Sequence, residues 1–284
     1  MLSTAKPDWA ARFAGAVDFR RSFAPRPGIS HVLFDFDGTL SLIREGWPDV
    51  MVPMFAEYLP PLPGESEAQR RQLALDDIMR LNGKQTIYQM IQLAERITAR
   101  GGTPCEPLWY KHEYLRRLDA RIAARLAGLK SGKLKPDDLL LHGARALMEE
   151  LKRRKLSIYL ASGTDEHFVK EEAALLGMTE FFGSHIYGAL DDYKKFSKKM
   201  VIERILKENA IPGAQLLAFG DGYVEIENTR EVGGLAVAVA SDEANNGSGK
   251  FDEWKHKRLT GVGADVVIPD YRDAKALLDI IFET

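Results

Sequence analysis

The stretch His31-Val32-Leu33-Phe34-Asp35-Phe36-Asp37-Gly38-Thr39-Leu40 decides how the rest of the chain is read. Val32, Leu33 and Phe34 form a short apolar run with β-branched and aromatic side chains, and Gly38 closes it. That pattern predicts a buried strand and not a helix. Such strands belong to parallel sheets covered on both faces, and ligands gather at their carboxyl ends. Asp35 and Asp37 stand at that end, two residues apart, so extended backbone sends both side chains to the same side. Carboxylates this close raise each other's pKa unless a cation lies between them or one keeps a proton. Gly38 permits a tight turn and a close approach of backbone to a ligand. A solvated Asp-rich turn would have the same local sequence, so the reading depends on what the other segments supply.

Working outward, residues 1–30 read as a short amphipathic helix around 9–19, followed by a linker carrying Pro25, Pro27 and Gly28. After Leu40 the apolar spacing turns helical, from Trp47 to about Leu129. Ile78, Leu81, Ile87, Met90, Ile91, Ala94 and Ile97 follow it, as do Leu115, Leu118, Ile122 and Leu126. Breaks are expected at 60–64, at Asn82-Gly83, at Gly101-Gly102 and at Gly128. Residues 42–134 therefore read as an all-helical insert.

A linker with Ser131, Gly132 and Pro136 closes the insert, and a helix starts at Asp137 or Asp138. Beyond it strands and helices alternate. Strands are expected at 156–161, within 181–187, and at 216–219, 235–240 and 266–268. Helices are expected at 165–176, 197–208, 224–232 and 271–282. This rhythm predicts an α/β fold with a doubly wound parallel sheet, built from 1–41 (1–30 as an extension) and 135–284.

Composition narrows the function classes. The 284 residues carry 45% hydrophobic and 28% charged side chains, ordinary for a globular protein. A net charge of −2 gives no reason to expect nucleic acid or an anionic membrane as partner. The single cysteine, Cys105, forms no internal disulfide and fits a reducing compartment, so the cytoplasm is the expected location. No run approaches the ~18 apolar residues of a membrane span.

Three later strand ends offer groups that match the aspartate pair. Leu160-Ala161-Ser162-Gly163-Thr164 ends a strand with a hydroxyl and a glycine just before a helix, where backbone N–H groups can receive an anion. The same residues are also ordinary turn and capping chemistry. Asp191–Lys199 holds four lysines ahead of a helix carrying Val201, Ile202 and Ile205. Lys198 precedes Ile202 by four residues, which puts it on the core-facing side of the first turn; Lys195 is the alternative. A lysine at a helix start opposes the dipole and calls for an anion nearby. Phe219-Gly220-Asp221-Gly222-Tyr223-Val224-Glu225 places Asp221 directly after an apolar run, with Glu225 four residues on. Asp221 could join the aspartate pair around one hard divalent cation.

In order and context, DFDGTL at 35–40, ASGT at 161–164, a lysine near 198 and GDGYVE at 220–225 resemble the four motifs of the haloacid dehalogenase superfamily. The resemblance covers 31–41 and 135–284, and the insert lies where members of the phosphoglycolate phosphatase and β-phosphoglucomutase type carry a helical cap. It implies a Rossmann-like core with Asp35 as nucleophile and Asp37 as general acid and base. It further implies that Gly38, Thr39, Ser162, Gly163 and Lys198 hold phosphate. Mg2+ would be held by Asp35, Asp37 through its carbonyl, Asp221 and Glu225. Glu225 departs from the more usual Asp, and could reach the metal through water or orient Lys198 instead. The implied activity is hydrolysis of a small phosphorylated metabolite; a sugar phosphomutase uses the same core, and a homo-oligomer is compatible with either. Within the insert, Arg44, Trp47, Lys84 and Gln85 lie where they could face substrate, although an exposed or capping role is the more ordinary one for each. Cys105, His112 and His167 have no ligand-spaced partners.

Overall fold

The computed structural model describes residues 9–13 and 16–283; the expected helix at 9–19 falls partly outside them. Within them its place is taken by a 3-10 turn, Trp9–Phe13, and a short strand β1 (Asp18–Phe19). Trp9, Phe13, Phe19 and Phe23 meet as a cluster of tilted and edge-on rings, which ties this segment to the core. Aromatic packing therefore overrides local helix propensity here.

The quoted stretch begins as β2 (His31–Phe34). It is followed by four helices without an intervening strand: α1 (Pro48–Tyr58), α2 (Glu67–Arg80), α3 (Thr86–Ala99) and α4 (Pro107–Lys130). Gly128 does not break α4; it is buried inside it, where a Cβ would press on the Leu134 side chain at 2.7 Å. Residues Pro136–Leu139 form only a 3-10 turn, and α5 starts later, at Ala144–Arg153.

The alternating half follows as β3 (Ser157–Asp165), α6 (Glu166–Leu175), α7 (Thr179–Phe182), β4 (Ile186–Ala189) and α8 (Lys198–Glu208). It continues as β5 (Leu216–Gly220), α9 (Tyr223–Glu231), β6 (Leu235–Val239), α10 (Glu253–Gly261), β7 (Val266–Ile268) and α11 (Ala274–Ile281). Helix α10 was not expected, because Leu259 is its one large buried apolar residue and gives no periodic signal.

The seven strands lie in the order β1-β7-β6-β5-β2-β3-β4, all parallel except β1, which pairs antiparallel with β7. β2 is buried on both faces in the two-residue alternation of a strand. Val32 and Phe34 join the cluster with Leu147 of α5 and Leu278 of α11, whereas Leu33 joins Ile202 and Ile205 of α8. Phe34 and Phe219 stack at 4.9 Å. Burying each such side chain contributes about 1.5–3 kcal/mol relative to exposure. Among the described residues, no helix is long and apolar enough to cross a membrane.

This topology creates one distinctive place. Chain order runs outward in both directions from β2, with β3 on one side and β5 on the other, so the crevice past the carboxyl end of β2 is the topological switch point. Register brings Phe34 level with Leu160 and Phe219. Asp35, Ser162 and Asp221, each one or two residues further on, therefore emerge together.

Candidate active site

Asp35 leaves β2 buried, with its Oδ1 accepting the Phe36 N–H at 2.7 Å. Lys198, the first residue of α8, lies 2.6 Å from Asp35 Oδ2 and donates to Glu225 Oε2 at 2.8 Å. The cation that opposes its own helix dipole is thus accommodated by two carboxylates. Burial alone would lower the Lys198 pKa, but Asp35 and Glu225 together hold it above the ordinary lysine value. Lys195 points elsewhere, pairing with Asp192 on the surface. Burial drives the Asp35 pKa well up; Lys198 opposes that, and Glu225 and Asp221 add to it.

Asp37 accepts the Thr164 hydroxyl at 2.7 Å and, at 3.5 Å, the Ser162 hydroxyl, both on Oδ2. Its Oδ1 is buried and has no hydrogen-bond partner. Burial raises the Asp37 pKa, with the Arg44 charge acting against it. A buried carboxyl whose pKa is raised in this way is suited to giving up and recovering a proton.

Asp221 follows β5 and is fixed by Thr39: the Asp221 N–H donates to the Thr39 hydroxyl at 3.0 Å, and that hydroxyl lies 3.3 Å from Asp221 Oδ1. Gly38 has a φ of +71°, and a side chain there would collide with Asp221 and Glu243. Gly38 and Thr39, expected beside the phosphate, are thus packed against Asp221. Both oxygens of Glu225 are engaged, Oε1 by the Gly222 N–H at 2.7 Å and Oε2 by Lys198. Of the two roles open to Glu225, orienting Lys198 is the one this arrangement favours.

Asp35, Asp221 and Glu225 each present a carboxylate oxygen within 4.8 Å of the others. A purely oxygen donor set, beside the unpartnered Asp37 oxygen, suits a small hard divalent cation.

Asp35, Asp37, Ser162, Lys198 and Asp221 line one cleft with a cavity volume of about 80 Å³, whose other wall comes from residues of the helical insert. Arg44, Trp47 and Lys84 reach its wall, as does Lys111, which sequence reasoning missed. Gln85 is a clamp instead, donating to the Tyr193 and Phe196 carbonyls at 3.0 and 2.7 Å. Gly163 packs against the Lys84 carbonyl, where a Cβ would come within 2.7 Å. Two buried ion pairs join insert and core side chains, Arg44–Glu172 at 2.6 Å and Lys111–Asp165 at 2.5 Å. Cys105, His112 and His167 lie exposed, and none of them lines this cleft. Thr164, Ser241, Glu243 and Lys255 were also missed. Each reads locally as turn or surface chemistry, and only β-sheet register and α10 bring them to the aspartates.

Comparison with known proteins agrees with the geometry. A family model described as haloacid dehalogenase-like hydrolase matches residues 29–233. Among solved structures, a predicted phosphoglycolate phosphatase from Haemophilus somnus is similar with a TM-score of 0.58 at 14% identity, over 88% of this chain and 98% of that one. A haloacid dehalogenase family hydrolase from Deinococcus radiodurans, with bound phosphate and sodium, gives 0.54 at 16% identity, over 89% and 96%. β-Phosphoglucomutase from Clostridium difficile gives 0.56 at 11% identity, over 86% and 92%. Comparison with curated protein sequences finds no match.

Proposed function

Because the chain belongs to the haloacid dehalogenase-like hydrolase family, we propose that it is a magnesium-dependent phosphatase acting on a small phosphomonoester. The observation that carries this reading is the convergence of Asp35, Asp37, Ser162, Lys198 and Asp221, from separate segments, on one cleft at the switch point.

Asp35 attacks phosphorus, the bond from phosphorus to the ester oxygen breaks, and an aspartyl-phosphate forms. Asp37 gives its proton to the departing alkoxide, then takes one from the water that attacks phosphorus and releases inorganic phosphate and Asp35. The Ser162 hydroxyl, the Gly163 N–H and Lys198 hold the phosphoryl oxygens; a fixed donor of this kind is worth roughly 3 kcal/mol in a water-poor site. Asp35, the Asp37 carbonyl and Asp221 would hold Mg2+, with Glu225 beside them orienting Lys198. When bound, the ion would neutralise charge on the phosphoryl group and reduce repulsion among the carboxylates.

In this reading residues 42–134 are a cap over a core made of 1–41 and 135–284, and its insert-side wall admits a small soluble metabolite and no folded polymer. A cytoplasmic setting accords with the lone thiol of Cys105. The test is phosphate release from a panel of phosphorylated metabolites, with Mg2+ and with EDTA. Metal-dependent release that Asp35→Asn abolishes, with the native circular-dichroism spectrum retained, is expected. Release that survives in Asp35→Asn would refute the assignment, and interconversion of sugar phosphates without release would make the protein a mutase.

A further inference from the structure

Lys255 brings a second buried cation to the carboxylates, from a helix outside the motifs that define the site. It is the third residue of α10, and its N–H is held by the capping carboxylate of Asp252 at 2.8 Å. Its ammonium lies 2.9 Å from Asp221 Oδ2, 2.6 Å from Glu243 Oε1 and 3.0 Å from Ser241 Oγ. Those three contacts use all three of its protons. The Ser241 hydroxyl in turn donates to the Gly38 carbonyl at 2.7 Å, so the ammonium is fixed to the Asp37-Gly38 turn as well. Glu243 is largely buried and needs a counter-charge, which keeps Lys255 in place independently of Asp221.

The consequence is for Asp221. One of its oxygens, Oδ2, is committed to Lys255, and the other has only the longer contact with Thr39 at 3.3 Å. Glu243, a carboxylate outside the expected metal set, is held by the same ammonium. Mg2+ takes single oxygens at about 2.0–2.1 Å in a strict octahedron and retains waters, whereas Ca2+ takes 6–8 oxygens and favours carboxylates that supply two.

We propose that Lys255 determines cation specificity: by holding Asp221 Oδ2 and Glu243 in an ion pair, it limits Asp221 to one available oxygen and disfavours Ca2+ relative to Mg2+. The inference rests on the metal site set out under Proposed function. Lys255 touches neither substrate nor cation and acts as a positioning residue.

The test is calorimetric titration of the full chain with Mg2+ alone and with Ca2+ alone, for wild type, Lys255→Met and the double variant Lys255→Met/Glu243→Met. Removing a positive charge beside the ligands strengthens the binding of both dications, and this electrostatic gain largely cancels in the ratio of their dissociation constants. What remains in the ratio reports the extra oxygens. A shift on the order of tenfold toward Ca2+ is expected in Lys255→Met. A smaller shift in the same direction is expected in the double variant, which leaves no stranded glutamate and keeps the test open if the single variant does not fold. An unchanged ratio in a folded variant overturns the proposal while leaving the metal site intact. Absence of divalent binding to wild type overturns the metal site, and this inference with it.

Discussion

Replacing Lys198 with methionine removes the ammonium from between two buried carboxylates, which it approaches at 2.6 and 2.8 Å. Methionine keeps most of the aliphatic volume, so the loss is electrostatic. Breaking a buried pair by deleting one partner costs about 3–5 kcal/mol, because the other charge stays behind in a poor solvent. The neighbouring Lys199 gives the scale for comparison. It pairs with Glu231 at 2.9 Å, but both groups are about half exposed, and such a pair contributes about 0–1 kcal/mol. Urea melts of Lys198→Met and Lys199→Met in EDTA should therefore differ by several-fold in destabilisation. The deficit of Lys198→Met should also shrink on acidification. Burial already raises the folded-state pKa of Asp35, and loss of the cation raises it further. The native state then binds protons more readily than the unfolded chain, and stability rises as pH falls toward the ordinary carboxylate value. Added Mg2+ should recover part of the loss by supplying the missing positive charge. Turnover should fall by on the order of 10²–10³, as when one fixed donor is removed from a developing oxyanion. Equal costs for the two lysines, or a deficit that grows on acidification, would refute the bridging role of Lys198.

Gly163→Ala places a methyl group 2.7 Å from the Lys84 carbonyl. Because that neighbour is backbone, the insert turn must retreat; KM should rise several-fold with only a small change in melting temperature, and unchanged kinetics would show that the turn yields freely. Arg258, from α10, donates to the Met79 and Arg80 carbonyls at 2.7 and 2.8 Å, at the end of α2. Arg258→Ala should accelerate amide exchange at Asn82 and Lys84 about tenfold for each 1.4 kcal/mol of anchoring lost; wild-type exchange would place the anchor elsewhere. Glu113 is held at a pKa of about 2 by hydrogen bonds from Arg116 and Arg117. The unfolded chain takes up its proton first, so this stabilisation is present above about pH 4.5 and is lost as pH falls toward 2. Glu113→Gln should lower stability at neutral pH by no more than about 1 kcal/mol, given its nearness to solvent, and by nothing measurable near pH 2, as thermal melts across that range would report.

Much of this molecule is written in local sequence. The apolar run ahead of Asp35, the matching runs ahead of Ser162 and Asp221, and the helical spacing through 47–129 each follow from side-chain period, which a chain declares within a few residues. The lysine cluster was legible as far as Lys198, because the residues four and seven places on face the core. What the local pattern could not give was any contact made between elements. Nothing near Thr39 in the sequence shows that its hydroxyl meets Asp221, which only register brings to it. Gly128 reads as a helix break until Leu134 is seen to fill the space its missing side chain leaves. The segment at 9–19 reads as a helix until its aromatic rings find one another and Asp18–Phe19 adds to the sheet edge.

Sequence by itself thus determined the strand ends, the aspartates they carry and the place where a helical segment interrupts the sheet, since each depends on residues adjacent along the chain. Tertiary structure alone decided which oxygens remain available at those strand ends. Glu225 is turned toward Lys198, and Asp221 is held by Thr39 on one side and Lys255 on the other. A hydrogen bond needs its partners within about 3 Å, and in the solvated unfolded chain charges are screened over about 10 Å, so partners drawn from residues 39, 198, 225 and 255 act on one another only after the sheet has brought them together.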